Sequence, residues 1–163
     1  ASSQALARAM APTCDLLGLT LPGEINAAPQ HHYVMMAALS ALNRWVTTGE
    51  APPTSPRLTM EAGGPARLKL DDTGNAVGGI RSPWMDVPTC RLSGLAVAKS
   101  RMGALFGSTV AFDPAVLARF YPAGHDDYMA RFREALTAAI TAGFILPQDR
   151  AEIEALAAAS YPK

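Results

Sequence analysis

The stretch that decides the fold is QHHYVMMAALSALNRWVTT, residues 30–48. Large apolar residues recur in it at steps of four, three and four, the spacing that aligns side chains along one side of an α-helix: Met35, Leu39, Leu42 and Val46. A second apolar row runs beside the first: Val34, Ala38, Ala41 and Trp45. Gly49 suits the position after a helix end, and Pro52 and Pro53 prevent any continuation. The stretch therefore predicts a helix with a wide apolar face.

Downstream of this helix the sequence predicts a small β-hairpin followed by an extended arm. Residues 66–70 alternate between apolar and charged side chains, and residues 71–75 (DDTGN) supply turn-forming residues. Glycines and prolines in residues 78–88 interrupt regular structure, so an extended segment is expected through Leu92, with Trp84 packed beneath it. This region of the chain is expected to lie across a surface.

Helices are predicted for the rest of the chain. Asp113 and Pro114 form an N-cap and first-turn pair for a short helix through Phe120. A second long helix is expected to begin at Asp126 or Asp127 and to end at Gly143, with these residues on its apolar face: Tyr128, Phe132, Leu136, Ala139 and Ile140. An alanine-rich helix to about Ala159 follows. Residues 4–10 predict a further short helix, and residues 16–29 an irregular connection. Taken alone, the chain is mainly helical with a small sheet.

Composition excludes several classes of function. The 163 residues suffice for one domain, or for part of one, and the 14 basic and 14 acidic residues balance. The neutral chain has no basic stripe for nucleic acid, and no apolar run is long enough to cross a bilayer. It begins with Ala1 rather than methionine, so a processed protein or a piece of a longer one is expected.

Two cysteines, Cys14 and Cys90, lie far apart and form no metal-binding or redox motif. They could form one disulfide, and the alternative is a pair of separate buried thiols; an oxidising compartment would decide between them. Neither a phosphate-binding loop nor a dinucleotide fingerprint occurs around Gly78 and Gly79, so no cofactor and no metal are predicted.

The sequence contains little evidence for a catalytic nucleophile. No Gly-x-Ser-x-Gly turn, which would expose a nucleophilic serine, occurs in the chain. Ser93 and Ser108 each have a glycine on one side, but neither stands between a clear strand and a helix, and Gly107 with Ser108 is interpreted as a tight turn. Cys90 has no nearby base, so a packed or bridged thiol is the favoured interpretation. No catalytic residue is assigned.

Three histidines remain as candidates for proton transfer. His31 and His32 stand at the start of the predicted helix, where local hydrogen bonding is the ordinary role of such residues. His125 adjoins Asp126 and Asp127, but these neighbours do not point toward a common metal centre, so a solvated position near a helix start is favoured.

Several ordered motifs resemble the C-terminal part of the α/β-hydrolase domain-containing family. They are residues 25–34 (INAAPQHHYV), 41–49 (ALNRWVTTG), 51–53 (APP), 74–81 (GNAVGGIR), 86–88 (DVP), 105–109 (LFGST) and 143–147 (GFILP). The resemblance covers nearly all of the chain after about residue 25. It implies an α/β fold overall, of which this chain is the mainly helical C-terminal part with a small β-hairpin.

The resemblance also implies a function and a division of the chain. The family's serine, acid and histidine lie N-terminal to the matched region, so the chain would complete a serine hydrolase acting on carboxylic esters or related acyl substrates. Residues 1–53 would be a connection and the last helix of the core, and residues 54–163 an appended region of hairpin, extended arm and helices. His31, His32, Tyr33 and Trp84 are the candidates for residues next to the substrate pocket, with core packing the favoured role of Tyr33 and Trp84.

The implied partners are an N-terminal hydrolase segment or chain and a small acyl or ester substrate. The resemblance and the two cysteines favour a secreted or periplasmic location. An alternative is a free-standing, non-catalytic structural or binding module, which would have a polar surface all round. A small independent enzyme using Cys90 or His32 is the third hypothesis, and no partner residue for it is identifiable.

Overall fold

The helices that the sequence predicts form the body of the protein. The computed structural model describes residues 15–16, 19–20, 25–26, 28–63, 67–95 and 105–162. In chain order the elements are strands β1 (Asp15–Leu16) and β2 (Leu19–Thr20), helices α1 (Gln30–Thr48) and α2 (Pro83–Asp86), strands β3 (Cys90–Ser93) and β4 (Ser108–Ala111), helices α3 (Pro114–Phe120) and α4 (His125–Thr141), a 3-10 turn (Pro147–Asp149) and helix α5 (Arg150–Ser160). The prediction of a mainly helical chain is confirmed. The predicted helix at residues 4–10 and Cys14 lie outside the described residues.

The core forms around α4, which packs against α2 on one side and α5 on the other. Four of the five residues predicted for its apolar face are buried: Tyr128, Phe132, Leu136 and Ala139. The fifth, Ile140, is partly buried and packs against this core. The helix begins at His125, one residue before the predicted start. Ile153, Leu156 and Ala157 of α5 complete this core.

Two antiparallel sheets of two strands each occur in the described part of the chain. β1 pairs with β2, and β3 pairs with β4 in a register that sets Leu92 opposite Thr109. Ser108 is therefore the first residue of a strand, and the tight turn lies at Gly107, where φ is 63°. A Cβ atom at Gly107 would lie 2.2 Å from the carbonyl oxygen of Ser93, so this close approach requires glycine.

The predicted hairpin is confirmed at its turn, where Leu70 pairs with Ala76, but it does not stand alone. A third segment, residues 58–61, joins it, and Met60 pairs with Leu68. Three backbone hydrogen bonds link the segments in a cycle: Thr59 N–H to Val77 O (2.9 Å), Val77 N–H to Lys69 O (2.9 Å) and Lys69 N–H to Thr59 O (2.8 Å). We call these three segments, residues 58–61, 67–70 and 75–77, the ladder.

The expectation that residues 78–92 are extended throughout was wrong in two places. Residues 83–86 form the short helix α2, because Pro83 occupies the first helical position with its φ already suitable and Ser82 accepts the first two backbone hydrogen bonds. Residues 90–93 form β3. The expectation that Trp84 packs beneath this region is confirmed, since its ring contacts Phe132 in the core.

Within the part of the chain that the structure describes, helix α1 is covered on one side only. With about 100° between successive residues, Tyr33, Ala37 and Ala41 form an inner face, and all three are buried. The large apolar residues away from the inner face are between 48 and 77% exposed, and we call them the outer face of α1: Met35, Leu39, Leu42, Trp45 and Val46. The helix ends as predicted at Gly49, whose φ is 78° and whose N–H donates to the Trp45 carbonyl.

Candidate functional site

The start of α1 is held in place by the β3–β4 sheet. The backbone N–H of Asn26 donates to the Phe106 carbonyl (3.0 Å), and its side-chain amide donates to the Ser93 carbonyl (3.4 Å). From β4, the Thr109 hydroxyl donates to the Ile25 carbonyl (2.8 Å). These contacts between distant parts of the chain fix where the residues after Asn26, including the candidate pocket residues, enter the body.

Tyr33 and Trp84 form the centre of the candidate site. Their rings are stacked with centroids 5.9 Å apart and planes 9° from parallel, and Trp84 meets Phe132 edge to face at 5.4 Å. The Ser82 hydroxyl, next to α2, donates to the Gln30 side-chain oxygen at the start of α1. Tyr33 is buried and Trp84 partly buried, so both rings join α1 to α2 and α4, which agrees with core packing as their main role.

Burial raises the pKa of the Tyr33 phenol to about 12, and the negative charges of Glu152 and Asp149 act in the same direction. The phenol is therefore protonated at neutral pH and cannot act as a general base there. What it offers to a ligand or a neighbouring side chain is a neutral hydrogen-bond donor on a rigid ring.

The two adjacent histidines point in different directions from α1. His32 is exposed and meets the Tyr33 ring edge to face, with centroids 5.1 Å apart. His31 is also exposed, and its helical position lies on the same side as Met35 and Leu42. The structure thus brings together three of the four candidates, His32, Tyr33 and Trp84, and sets His31 at the N-terminal end of the outer face.

Arg81 fixes α2 to the turn of the ladder. Its guanidinium donates to the carbonyls of Ala76 and Met85 (both 2.7 Å) and to the Asp71 carboxylate (3.2 Å), and it also donates to Asp86. Since α2 carries Trp84, this network determines where the Trp84 ring lies. Apart from the turn-forming residues at 71–75, the sequence shows no sign of this network, because its partners lie four, five and ten residues away from Arg81.

The carboxylate of Asp71 makes the network sensitive to acid. Burial on its own raises the pKa of Asp71, but hydrogen bonds from the Thr73 side chain, from the backbone of Asn75 and Thr73, and from Arg81 outweigh burial and lower it. A carboxyl whose pKa is lower in the folded state stabilises the fold above its unfolded pKa of about 4. That stabilisation is lost as the pH falls through the folded pKa.

We expect Asp71→Asn to lower the free energy of unfolding at pH 7 by about 1–2 kcal/mol, because it removes charge-assisted hydrogen bonds. Below pH 4 the difference from the original protein should shrink, because Asp71 takes up a proton in the unfolded chain at about pH 4 and in the folded protein only at a lower pH. Urea unfolding at pH 7 and pH 3 measures both values, with Asp72→Asn on the exposed side of the same turn as the control. A difference that is the same at both pH values would contradict the assignment.

The serines considered as nucleophiles have structural roles. Ser93 ends β3, and its hydroxyl accepts from the Leu95 N–H (3.0 Å). Ser108 is buried at the start of β4 and donates to the Leu95 carbonyl (2.7 Å). Neither serine hydroxyl is hydrogen-bonded to a histidine within the described residues. Cys90 is partly buried in β3, and the choice between a disulfide with Cys14 and two separate thiols involves a residue outside the described part of the chain.

His125 is the first residue of α4 and lies on the surface. Its Nδ1 atom is 3.6 Å from the Asp126 carboxylate, and its ring meets that of Tyr161 edge to face at 5.6 Å. Within the described ranges no three His, Cys, Asp or Glu side chains are grouped as metal ligands would be. The same ranges include no helix that is both long and apolar enough to span a membrane.

Comparison with known proteins identifies the family. The family model described as "Alpha/beta hydrolase domain" matches residues 3–155, which is most of the chain. The chain belongs to the α/β hydrolase domain family. No curated protein and no solved structure matches it.

Membership of the α/β hydrolase domain family confirms the resemblance on which the sequence interpretation rests. In α/β-hydrolases the nucleophile stands on a sharp turn between a strand and a helix, above a largely parallel sheet. All strand pairs within the described residues are antiparallel. The described elements of this α/β hydrolase domain therefore include helices but not the sheet on which such an active site is built.

Proposed function

We propose that this chain forms the C-terminal part of a serine hydrolase that acts on carboxylic esters or related acyl substrates. The catalytic serine and histidine would belong to an N-terminal part, as a segment or a second chain. The observation that carries the proposal is the outer face of α1, which leaves a row of large apolar side chains uncovered in a chain of the α/β hydrolase domain family.

The outer face supports this role because α1 is apolar over more of its circumference than a surface helix needs. A helix covered on one side typically has an apolar stripe somewhat over 100° wide. Counting about 100° per residue from Tyr33, apolar residues of α1 recur from there to Leu39 at about 240°, which leaves about 120° for the mostly polar remainder. Such a helix is suited to a place between two layers of protein. The layer on its outer side would be the central sheet, since parallel sheets are covered by helices on both faces.

This arrangement assigns roles to the candidate residues. Residues 1–53 would contribute the connection and the last core helix, and residues 54–163 the appended region. His31, at the N-terminal end of the outer face, would face the covering sheet. Tyr33 and Trp84 would hold the helix in place through packing on its inner side. The chain's contribution to catalysis would be to complete the fold and to wall the substrate pocket, while the serine and histidine perform acyl transfer.

The alternative is a free-standing, non-catalytic structural or binding module. It requires a surface that is stable in water without a partner, and monomeric proteins rarely expose apolar patches larger than a few hundred Å². The exposed outer face argues against this alternative. A catalytic role for Cys90 or His32 within this chain has less support, because the matching family model describes an α/β hydrolase domain, in which the nucleophile stands on a strand-to-helix turn.

The test uses the protein purified under native conditions from its source. We expect a fluorophosphonate probe, which reacts with activated serines, to label a polypeptide containing a Gly-x-Ser-x-Gly turn that carries or accompanies residues 1–163. The same preparation should hydrolyse short-chain nitrophenyl esters, and replacing the labelled serine with alanine should abolish both signals.

Intact mass spectrometry of that preparation separates the hypotheses. Labelling of a serine within residues 1–163 would contradict the proposal. An unlabelled 17.1 kDa species alone, with no ester hydrolysis, would favour the non-catalytic module.

A further inference from the structure

The first turn of α1 has no capping group of its own. Pro29 stands directly before the helix and has no side-chain oxygen that could accept from the free N–H groups of the turn. The turn also has no acidic residue to complement the helix dipole. The Asn26 side chain accepts from the Ala28 N–H (3.1 Å), which precedes the helix. The position of this turn therefore depends on contacts with distant parts of the chain.

Ser82 makes such a contact. Its backbone carbonyl begins α2 by accepting from the N–H groups of Met85 (2.9 Å) and Asp86 (3.1 Å). A serine before a helix usually caps that helix with its hydroxyl, but the Ser82 hydroxyl does not cap α2 and donates instead to the Gln30 side-chain oxygen. Ser82 is 2% exposed, and a buried hydroxyl is costly without a hydrogen-bond partner. The usual capping rule is thus broken in favour of a contact with α1, and functional sites are where such exceptions are expected.

Two contacts with the start of α2 define how the first turn of α1 is rotated. Gln30 and Tyr33 are three residues apart, so their side chains lie on the same side of the helix. Gln30 accepts from Ser82, and Tyr33 stacks on Trp84. A hydrogen bond constrains direction, whereas stacked rings can slide past each other. The Ser82 bond is therefore the contact that sets the rotation.

The two histidines of the first turn lie between these attachment points. With about 100° between successive residues, the positions of His31 and His32 lie about 100° and 200° around the helix from Gln30, and both side chains are exposed. The reference point is firm, because Arg81 holds α2 to the turn of the ladder. A rotation of the first turn would redirect both histidines.

We propose that Ser82 is a positioning residue for the substrate pocket: by donating to Gln30 it sets the rotation of the first turn of α1, and with it the places of His31 and His32 in the pocket wall. The inference rests on the proposed function and deepens it, because it names the bond through which the appended region controls the shape of the pocket. Ser82 acts through Gln30 and does not touch the substrate itself.

Amide hydrogen exchange in the native protein tests whether the bond sets this turn. Ser82→Ala removes the donor, and Gln30→Met removes the acceptor at similar side-chain length. In either variant we expect the His32 amide, which donates to the Pro29 carbonyl (3.1 Å), to exchange about 3- to 10-fold faster, the range that one neutral hydrogen bond accounts for. The double variant should exchange no faster than the single ones, because both changes break the same bond.

Two controls separate a local effect from a general loss of stability. Ser40→Ala removes a hydroxyl from an exposed position of the same helix and should leave the His32 amide unchanged. The Gly49 amide, which donates to the Trp45 carbonyl at the other end of α1, should keep its exchange rate in every variant. Equal acceleration at Gly49 would show that the whole helix has loosened and would overturn the inference.

Ester hydrolysis by the same preparations tests whether the turn matters for the pocket. For nitrophenyl esters we expect Ser82→Ala to raise KM about 3- to 10-fold and to change kcat less than about twofold, because a displaced wall weakens substrate binding while the catalytic serine and histidine stay in place. Gln30→Glu keeps an acceptor oxygen for the Ser82 hydroxyl, so its KM should stay within about twofold of the original value.

The possible results distinguish this inference from the proposed function. Faster exchange of the His32 amide with unchanged KM would limit Ser82 to a structural role, which overturns the inference and leaves the proposed function standing. Unchanged exchange in both single variants would overturn the inference in the same way. An original protein that neither hydrolyses esters nor reacts with the fluorophosphonate probe would overturn the proposed function and the inference together.

Discussion

Replacing Phe132 with alanine is expected to lower the free energy of unfolding by about 3–5 kcal/mol, the cost of removing a large aromatic side chain from a rigid core. Phe132 is fully buried, and its ring lies 5.4 Å from that of Trp84 and 5.5 Å from that of Tyr128. These contacts connect α4 to α2 and, through Trp84, to Tyr33 on α1. The cavity would therefore open at the point where three helices meet.

Urea unfolding followed by circular dichroism measures this loss. Glu134→Ala, on the exposed side of the same helix, should change the free energy of unfolding by less than about 0.5 kcal/mol. Phe132→Leu should cost less than Phe132→Ala, because it refills part of the volume. A loss below about 1 kcal/mol for Phe132→Ala would show that the site collapses around the smaller side chain and that the packing described here is not rigid.

Asn75→Ala is expected to lower the free energy of unfolding by about 2–4 kcal/mol, because it removes the hydrogen bonds that the Asn75 side chain makes with two backbone groups of β3. The fully buried Asn75 side chain accepts from the Leu92 N–H (2.9 Å) and donates to the carbonyl of Cys90 (3.3 Å) and to the Thr73 hydroxyl (3.0 Å). It thus pairs with β3 much as a neighbouring strand would. Loss of these bonds should loosen the β3–β4 sheet that holds Asn26 and the start of α1.

Amide hydrogen exchange locates this effect as well as measuring it. In Asn75→Ala we expect the Leu92 amide to exchange faster than in the original protein, by more than the change in global stability explains. Asp72→Ala, in the same turn but exposed, serves as the control and should leave the exchange of Leu92 unchanged. Unchanged protection of Leu92 in Asn75→Ala would contradict the role assigned to the Asn75 side chain.

The sequence predicted those elements whose causes are local. The C-terminal end of α1 follows from Gly49, which adopts the left-handed conformation. The N-terminal end of α3 follows from Asp113, whose carboxylate accepts from the Ala115 N–H (2.8 Å). The buried side of α4 follows from its periodicity. These features depend on interactions within a few residues, so pattern and capping chemistry suffice to predict them.

The features that the sequence did not predict depend on distant contacts. Asn75 reaches β3 over 15 and 17 residues, and Ser82 meets Gln30 across 52 residues. For α1, periodicity predicted apolar rows but could not tell which of them faces the body. The small residues Ala37 and Ala41 turn out to lie inward, next to Tyr33, while the larger side chains lie outward. Such a choice depends on the packing partner, which no local pattern encodes.

The cyclic hydrogen bonding of the ladder has a consequence for the behaviour of the protein in solution. Unpaired strand edges let chains aggregate by adding strands to one another, and apolar, β-forming segments are the most prone to do so. In the described part of the ladder each of the three segments is bonded to both of the others, so the backbone groups of Thr59, Lys69 and Val77 that make these bonds are not open to strand addition. Its exposed leucines are therefore carried on segments whose backbone is partly paired, which lowers their tendency to add strands from another chain.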